Sequence, residues 1–357
     1  MEPLSIAGRI GNGIRKTICG LENLIRRASG ESLRPRWVVF ELTDRCNSRC
    51  THCSIWKAKS RKGELTADEI EQVFSDGLFK DTEYIQISGG EPTLRGDLEE
   101  VILRIHRALP NATIQLSTNG LLPEKVLKVA RAALKNEINF YVGVSLDGIG
   151  EAHDRIRGIR GNFEKADRLL HELVALRSAT GGRLHVSAGI VVSDLTLESL
   201  GPVREYARRL GIELTEAWYN ECSFYGNEGE NAFSANLTDA IRSQPPSPLK
   251  ELWLRELDGR PIKFPCFAMH TFCVIKCNGD IVPCLNLFDE SAGNVREMTP
   301  TEIWHSPRMK RVRQKVKDCR GCLNSWGAGW SLETSYYQNL LFYLKHPIIT
   351  LKLLREG

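Results

Sequence analysis

The stretch ELTDRCNSRCTHC, residues 41–53, carries three cysteines in a C-x3-C-x2-C pattern directly after an apolar run. A structural zinc site takes four protein ligands, but no fourth cysteine lies near Cys46, Cys50 and Cys53 in the sequence. His52 stands between two of these cysteines, where it is poorly placed to share their metal. Three thiolates are what a [4Fe–4S] cluster needs when one of its irons must stay open for a small molecule. The pattern therefore favours such a cluster.

Strand-like runs alternate with helix-like segments around this stretch. A repeat of about 30 residues predicts right-handed βαβ units and a parallel sheet. Six units are too few for a closed eight-fold barrel, so we predict an α/β fold with a partial, TIM-like (β/α)6 barrel. The three cysteines follow the first strand, and catalytic groups of such barrels gather at the carboxyl ends of the strands. The six runs are 37–43, 84–90, 113–120, 140–148, 184–192 and 212–219.

Helix starts are marked by capping signals. Thr66, Asp97 and Thr299 are each followed by a glutamate three residues later, which is the capping-box pattern. Pro123 suits the first turn of a helix. We therefore predict helices that begin directly after Thr66, Asp97 and Thr299, and a further helix that begins at Pro123.

The chain divides into five predicted segments. The first is an amphipathic helix, bent or broken around Gly11–Gly13, in which apolar residues recur every three or four positions. The second is the partial barrel, and the third is a polar linker or loop rich in Gly, Ser and Pro. The fourth is a small α+β domain built on the predicted hairpin TFCVIKCNGDIVPC, and the fifth is an apolar, basic tail. These segments are 1–36, 37–220, 221–262, 263–330 and 331–357.

Composition and charge narrow the class of protein. The net charge of +4 is spread widely along the chain, so it does not predict nucleic-acid binding. No apolar run reaches the roughly 20 residues of a membrane span, and the first residues lack a secretory signal, so we predict a cytoplasmic protein. The basic, Ile- and Leu-rich ends predict peripheral contact with a membrane surface. The alternative is that both ends cover the barrel or form a dimer contact.

Eleven cysteines in a reducing compartment predict metal ligands rather than disulfides. Besides the first three, a second group lies near the carboxyl terminus, and Cys19 and Cys222 stand alone. Four thiols suit zinc as well as an iron–sulfur cluster, so both remain alternatives for the second group. Its members are Cys266, Cys273, Cys277, Cys284, Cys319 and Cys322.

The motifs at the predicted strand ends resemble those of the radical S-adenosylmethionine (radical SAM) superfamily. C-x3-C-x2-C after the first strand is the signature of that superfamily, and GGEP (89–92), STNG (117–120), SLDG (145–148) and GIVV (189–192) accompany it. The resemblance implies that GGEP holds the methionine amino group, STNG contacts the ribose and GIVV lies along the adenine. Glycines permit close backbone approach, and the glutamate accepts hydrogen bonds from a cation.

Individual residues take roles from the same resemblance. Ser145 is expected to face S-adenosylmethionine, Arg157 to meet its carboxylate, and His52 to pack near the adenine. The full set of residues implied for S-adenosylmethionine is Gly89, Gly90, Glu91, Pro92, Ser117, Asn119, Ser145, Arg157, His52 and Val191.

The second cysteine group resembles the SPASM and twitch extensions of that superfamily, which bind further Fe–S clusters. The run from Cys266 through Gly279 to Cys284 fits the opening C-x(9–15)-G-x4-C, but no cysteine follows Cys322. The resemblance therefore implies one auxiliary [4Fe–4S] cluster on Cys266, Cys284, Cys319 and Cys322. Cys273 and Cys277 are alternative ligands or plain buried thiols.

The resemblance implies an enzyme that cleaves S-adenosylmethionine reductively to a 5′-deoxyadenosyl radical and takes a hydrogen atom from an unactivated C–H of its substrate. A reductant such as ferredoxin or flavodoxin supplies the electron. The substrate alternatives are a peptide, a small molecule or a lipid. Cys222 lies in a loop after the last barrel strand and is a candidate hydrogen-atom donor. The non-enzymatic alternative is an Fe–S or zinc carrier or scaffold, which has no use for the nucleoside-binding motifs.

Overall fold

Six parallel strands at the centre of the molecule follow one another in sequence order. The computed structural model describes residues 6–29, 33–57, 63–181, 183–227, 234–260, 264–319 and 324–347. Within them the sheet does not close into a barrel, which confirms the predicted partial barrel. The strands are β1 Trp37–Thr43, β2 Tyr84–Gly89, β3 Thr113–Thr118, β4 Phe140–Ser145, β5 Leu184–Val192 and β6 Glu213–Trp218.

The two faces of the sheet differ in polarity. On β3, Ile114 and Leu116 are fully buried in the main apolar core, whereas Gln115 and Ser117 alternate with them and are partly buried. The same alternation runs along β2, where Gln86 donates from Nε2 to Ser117 Oγ over 3.2 Å. Because strand side chains alternate between faces, one face packs against helices and the other is a polar inner surface.

The helices cover the outer face and the ends of the sheet. Those that alternate with the strands are α2 Ala67–Phe74, α3 Leu98–Ala108, α4 Pro123–Lys135, α5 Glu151–Arg157, α6 Asn162–Ala179 and α7 Leu200–Leu210. The others are α1 Ile6–Ala28, α8 Ala235–Ser243, α9 Pro248–Leu257, α10 Pro300–His305, α11 Pro307–Asp318, α12 Ser325–Ser335 and α13 Tyr337–Lys345.

Most of the predicted helix starts are confirmed. Thr66 and Thr299 each form a capping box with the glutamate three residues on, and α4 begins at Pro123. Helix α3 begins directly after Asp97, as predicted, but the capping box predicted there is absent, because the Asp97 side chain makes no cap hydrogen bond. Its carboxylate instead binds Arg95, at 2.8 Å from Nε and 2.6 Å from Nη2. An ion pair with a residue two positions earlier uses the carboxylate that the capping pattern assigned to the helix end.

The C-terminal hairpin extends the barrel sheet. Strand β7, Phe272–Ile275, pairs in parallel with β1, with Trp37 opposite Phe272. Strands β8, Asp280–Val282, and β9, Gly293–Asn294, then continue the sheet in antiparallel pairing. The sequence predicts the hairpin but not this junction, which brings the second cysteine group alongside β1.

Two further predictions about the ends and the linker differ from the structure. Helix α1 is continuous from Ile6 to Ala28, so Gly11–Gly13 do not break it. The predicted linker contains α8 and α9. Helix α1 packs against α12 and α13. Among the described helices, none combines the length and the apolar character needed to cross a membrane.

Candidate active site

A cavity of about 470 Å³ lies at the carboxyl ends of the parallel strands. Because the strands are parallel, the motif that follows each one reaches the same edge of the sheet. The three N-terminal cysteines line this cavity together with most of the residues predicted to bind S-adenosylmethionine. The lining residues of those two sets are Cys46, Cys50, Cys53, His52, Gly89, Gly90, Glu91, Ser117, Asn119, Ser145, Arg157 and Val191.

Backbone hydrogen bonds hold the cysteine loop to two neighbouring elements. The N–H groups of Arg49 and Thr51 donate to the last carbonyls of α5, Arg157 O and Ile156 O, each over 2.9 Å. On the other side, Ser54 N donates to Tyr225 O over 2.7 Å. The loop thus uses carbonyls that a helix end leaves without intrahelical partners, and its three thiols are fixed towards the cavity.

The thiols of the loop are held in a poorly solvated position. Burial, ahead of every other cause, raises the pKa of Cys46 to about 11 and that of Cys53 to about 12. Backbone hydrogen bonds, from Ser48 to Cys46 and from Ile55 to Cys53, partly oppose this rise. Both side chains are therefore protonated at neutral pH, and a metal that binds them must displace the protons.

The three thiols do not converge on one point. Among the residues that the structure describes, no three His, Cys, Asp or Glu side chains are arranged to hold a single metal ion. A cubane cluster does not require such convergence, because each thiolate binds a different iron. Thiols spread around a cavity are thus compatible with the predicted cluster.

Gly89 and Gly90 lie against the cysteine loop rather than in open space. A Cβ added to Gly90 would be 2.1 Å from Arg45 O, and one added to Gly89 would be 2.2 Å from Thr43 O. Gly89 also has a φ of +123°, which side chains other than that of glycine rarely adopt. The close approach that these glycines permit is to the backbone of the cysteine loop, and this is a structural reason for the motif.

Glu91 connects the second and third strand ends. Its side chain is 1% exposed, and its Oε1 accepts from Thr93 N, Thr93 Oγ1 and Thr118 Oγ1 over 3.2, 2.7 and 2.8 Å. Its Oε2 accepts from Asn119 N over 2.7 Å. Burial raises the pKa of Glu91, and these hydrogen bonds oppose that rise. In this structure Glu91 therefore positions the STNG turn.

Asn119 connects the STNG turn to the cysteine loop through side-chain hydrogen bonds. Its Nδ2 donates to Asn47 Oδ1 over 2.8 Å and to Ser48 Oγ over 3.1 Å. Its Oδ1 accepts from Leu121 N over 2.9 Å. The side chain is 5% exposed. The STNG turn and the cysteine loop are thus one connected polar network.

Asp147 is the centre of a buried charged group that the sequence reasoning missed. Its side chain is fully buried, and Oδ2 lies 2.7 Å from Arg157 Nε and 3.8 Å from His52 Nε2. The approach to Arg157 is an ion pair rather than an aligned hydrogen bond. Asp147 Oδ1 accepts from Val191 N over 2.9 Å. Asp147 belongs to the SLDG motif, in which only Ser145 was assigned a role, so the motif carried the signal.

The charges in this group stabilise one another. Burial alone would raise the pKa of Asp147, but Arg157 and then His52 offset it, and the net shift is downward. Burial opposes the charge of Arg157, yet Asp147 and Cys50 outweigh it, so the pKa of Arg157 is raised. Arg157 Nη1 also donates to Cys50 Sγ over 3.7 Å. Burial lowers the pKa of His52, whose buried Nδ1 has no hydrogen-bond partner among the described residues.

A second wall of the cavity is aromatic and rich in amides, and the sequence did not predict it. It comes from the end of β6, from the loop that follows, and from the C-terminal segment. Three asparagines join these pieces: Asn220 Nδ2 and Asn324 Nδ2 each donate to Asn286 Oδ1 over 3.2 Å. The lining residues of this wall are Trp218, Tyr219, Asn220, Phe224, Tyr225, Asn227, Leu285, Asn324 and Trp326.

Two predicted site residues do not line the cavity. Cys222 is buried in a small apolar cluster with Val39 and Phe224, and its N–H donates to Asn227 Oδ1 over 3.0 Å. Pro92 is buried and begins a 3₁₀ turn that ends at Leu94. The structure therefore places Cys222 behind the cavity wall rather than on it.

Three cysteines of the second group lie near one another. Cys266 and Cys284 pack in one apolar cluster. Burial raises the pKa of Cys284 to about 12, with further increases from the neighbouring Cys266 and Cys319. Cys322 lies outside the described residues. A set of clustered thiols, with Cys266 and Cys284 partly buried and Cys319 exposed, fits an iron–sulfur site.

Cys273 and Cys277 lie apart from that cluster. Cys273 lies on β7 opposite Val38 of β1 and belongs to the main core, and burial raises its pKa. Cys277 is buried, and its N–H donates to Glu41 Oε2 over 3.2 Å. Their positions favour the reading of plain buried thiols.

Family models match both parts of the chain. The radical SAM superfamily model matches residues 40–200, and that of an iron–sulfur cluster-binding domain, SPASM, matches residues 266–323. The chain belongs to the radical SAM superfamily and carries a SPASM domain. This radical SAM protein accordingly uses a [4Fe–4S] cluster and S-adenosylmethionine in its first domain, and the SPASM domain provides for auxiliary Fe–S clusters.

Individual relatives cover different shares of the chain. The AdoMet-dependent heme synthase of Methanosarcina barkeri is 27% identical over 80% of this radical SAM chain and 87% of its own length. The Fe-coproporphyrin III synthase of the same organism is 39% identical, but over 38% of this chain and only 33% of its own length. The crystal structure of Streptococcus suis SuiB bound to precursor peptide SuiA superposes with a TM-score of 0.62 at 15% identity, covering 84% of this chain and 70% of SuiB. The last similarity concerns the fold alone.

Proposed function

We propose that the chain is a radical SAM enzyme that abstracts a hydrogen atom from an unactivated C–H of a substrate held in the 470 Å³ cavity. The observation that carries the proposal is that the three thiols and the strand-end motifs all line that one cavity. A carrier or scaffold of Fe–S clusters would have no use for the strand-end motifs, which bind a nucleoside. The non-enzymatic alternative is therefore less well supported.

Cys46, Cys50 and Cys53 would hold the [4Fe–4S] cluster, since their thiols line the cavity from one fixed loop. When bound, the cluster and S-adenosylmethionine supply the electron that cleaves the C5′–S bond and the 5′-deoxyadenosyl radical that attacks the substrate. The Arg157 N–H that reaches Cys50 Sγ stabilises negative charge on that sulfur. The unpartnered Nδ1 of His52 is available to the adenine.

The remaining cavity residues bind S-adenosylmethionine, position other side chains or shield the reacting atoms from water. Ser117 and Asn119 present polar groups beside the cysteine loop, and Ser145 and Val191 line the neighbouring strand ends. Glu91 and Asp147 act through others: Glu91 positions the STNG turn, and Asp147 positions Arg157. The aromatic wall excludes water from the reacting atoms, which protects a radical from side reactions.

The SPASM domain would hold one auxiliary [4Fe–4S] cluster on Cys266, Cys284, Cys319 and Cys322. The proximity of the first three thiols supports this ligand set. Leu285, Asn324 and Trp326 line the substrate cavity from the same side. Trp326 also packs in the apolar cluster that contains Cys266 and Cys284, so this side chain belongs to the surroundings of both sites.

For the substrate we favour a small molecule of the heme type over a peptide. The heme synthase match covers most of both chains, whereas the likeness to SuiB with its peptide is one of fold alone. The cavity wall offers aromatic rings on which a planar molecule can stack. A peptide is the second candidate, because the amide groups of Asn220, Asn227 and Asn324 line the wall and amides can hydrogen-bond a peptide backbone.

The substrate proposal predicts which compound stimulates the reaction. The reconstituted protein should form 5′-deoxyadenosine from S-adenosylmethionine and dithionite under anaerobic conditions. Iron-coproporphyrin III should raise that rate and change in mass, whereas an unrelated peptide should do neither. Mass spectrometry measures both compounds. Formation of 5′-deoxyadenosine with no effect of the porphyrin would reject the heme-type substrate, and no 5′-deoxyadenosine at all would favour a carrier or scaffold.

We further propose that the enzyme works in the cytoplasm, where ferredoxin or flavodoxin can reduce it, and that it touches the membrane surface through α1 and α13. Five of the seven large apolar side chains exposed on the described residues lie on these helices: Ile18, Leu21, Ile25, Leu341 and Leu344. The first three share one face of α1, because they are three and four residues apart. Helix α1 carries five basic residues and one acidic residue, which suits anionic lipid.

Replacing Ile18, Leu21 and Ile25 together with serine should weaken binding to phosphatidylserine vesicles more than about tenfold, since the buried apolar area is lost. Leu195→Ser is the matched control, because Leu195 is exposed on the barrel. Vesicle sedimentation at low and high salt measures the binding. If the intact chain does not bind these vesicles at low salt, the proposed membrane contact is contradicted.

A further inference from the structure

Helix α1 lies outside both regions matched by family models, yet it packs closely onto the C-terminal helices. A Cβ added to Gly20 would be 2.1 Å from Ser335 O, so only glycine fits this contact with α12. Asn23 Nδ2 donates to Thr334 O over 3.2 Å. Helix α1 therefore packs on α12 in one defined position.

In its last turn α1 reaches a cysteine of the auxiliary site. Arg27 Nε donates to Cys266 O over 3.1 Å, and the guanidinium lies 5.7 Å from the centre of the Phe267 ring. Phe267 is fully buried beside Cys266. Burial lowers the pKa of Arg27 and Cys266 partly offsets it, but the guanidinium stays charged at neutral pH because its ordinary pKa is so high.

Several groups beside Cys266 can stabilise negative charge on its sulfur. They are the Ala268 N–H, Ser331 of α12 and Arg27 of α1. Of these three groups, only Arg27 carries a full positive charge. A positive charge in a poorly solvated site interacts strongly with nearby negative charge.

We propose that α1 is part of the auxiliary cluster site and that Arg27 raises the reduction potential of the cluster bound by Cys266. The inference rests on the proposed auxiliary cluster. Reduction adds negative charge to a cluster, and hydrogen bonds and charges around its ligands set its potential. A guanidinium held beside a ligand cysteine stabilises the reduced form more than the oxidised form.

The test uses full-length protein in which Cys46, Cys50 and Cys53 are replaced with alanine, so that only the auxiliary cluster remains. Its iron content is measured first, because a variant without iron would reject the auxiliary cluster itself rather than the role of Arg27. An EPR-monitored redox titration then compares Arg27→Gln, Arg27→Lys and Arg26→Gln. Arg26→Gln removes the same charge from the exposed neighbour in that turn.

Arg27→Gln should lower the ratio of reduced to oxidised cluster about tenfold at fixed potential, which is about 59 mV for a one-electron couple. Arg27→Lys should keep most of the wild-type potential, and Arg26→Gln should leave it unchanged. Loss of the auxiliary iron from Arg27→Gln alone would also place α1 in the site, and Arg27→Lys would then report the potential. An unchanged potential in Arg27→Gln, or an equal shift in Arg26→Gln, would overturn the proposal.

Discussion

The variant in which Cys46, Cys50 and Cys53 are all alanine should form no 5′-deoxyadenosine and should contain about four fewer irons than the wild type, the content of one cubane cluster. The three thiols line the cavity, and no other cysteine in the described part of the chain is among its lining residues. Without them no cluster with an open iron can form there. Iron and sulfide assays, with chromatography of the nucleoside products, measure both effects.

The matched control is Cys19→Ala, because Cys19 is an exposed cysteine far along the chain from both groups. It should keep the full iron content and the full rate of 5′-deoxyadenosine formation. Cys222→Ala should also form 5′-deoxyadenosine, since its thiol lies behind the wall of the cavity. Unchanged iron content in the triple variant would contradict the assignment of the cluster.

The Asp147→Asn variant should lose about 3–5 kcal/mol of unfolding free energy, because it leaves a buried guanidinium without its counterion. Asp147 is fully buried and 2.7 Å from Arg157, whose other donor reaches Cys50. We expect a displaced Arg157 to disturb the cysteine loop and lower cluster retention as well. Denaturant titration of the apoprotein measures the stability, and iron analysis measures the retention.

Glu137→Gln is the matched control for that experiment. Glu137 forms an ion pair of the same length, 2.7 Å, with Arg183, but both side chains are exposed. Water and salt screen such a pair, so its loss should have far less effect than that of the buried pair. A loss of stability in Asp147→Asn as small as that of the control would show that the buried pair is not needed.

The sequence predicts those parts of the site that depend on strand order alone. In a parallel sheet each carboxyl end reaches the same edge, so motifs after successive strands meet whatever their side chains do in detail. This is why the loop with Cys46, the GGEP and STNG motifs and Ser145 could be placed around one cavity. The bounds of β1 and β5 agree with the predicted runs, because continuous apolar residues mark buried parallel strands.

Partners that come from distant elements could not be predicted. Arg157 was expected to meet the ligand carboxylate, and the sequence reasoning did not predict its ion pair with Asp147. The junction of β7 with β1 places Asn324 and Trp326 on the cavity. Nothing in the local pattern of either segment encodes that pairing.

Competition for the same side chain explains the local errors. The capping-box pattern at Asp97 is sound by itself, but Arg95 is two residues away and takes the carboxylate. The glycines near the start of α1 lower helix propensity, yet the helix continues through them. Packing on α12 and α13 outweighs that cost, as tertiary contacts commonly do.

EPR of the reduced protein with and without S-adenosylmethionine tests most directly whether Cys46, Cys50 and Cys53 hold the cluster that binds it. In the wild type, addition of S-adenosylmethionine should change the spectrum, because the molecule binds an open iron. In the triple alanine variant only the auxiliary signal should remain, and S-adenosylmethionine should leave it unchanged. A signal that still responds to S-adenosylmethionine in the triple variant would contradict the assignment.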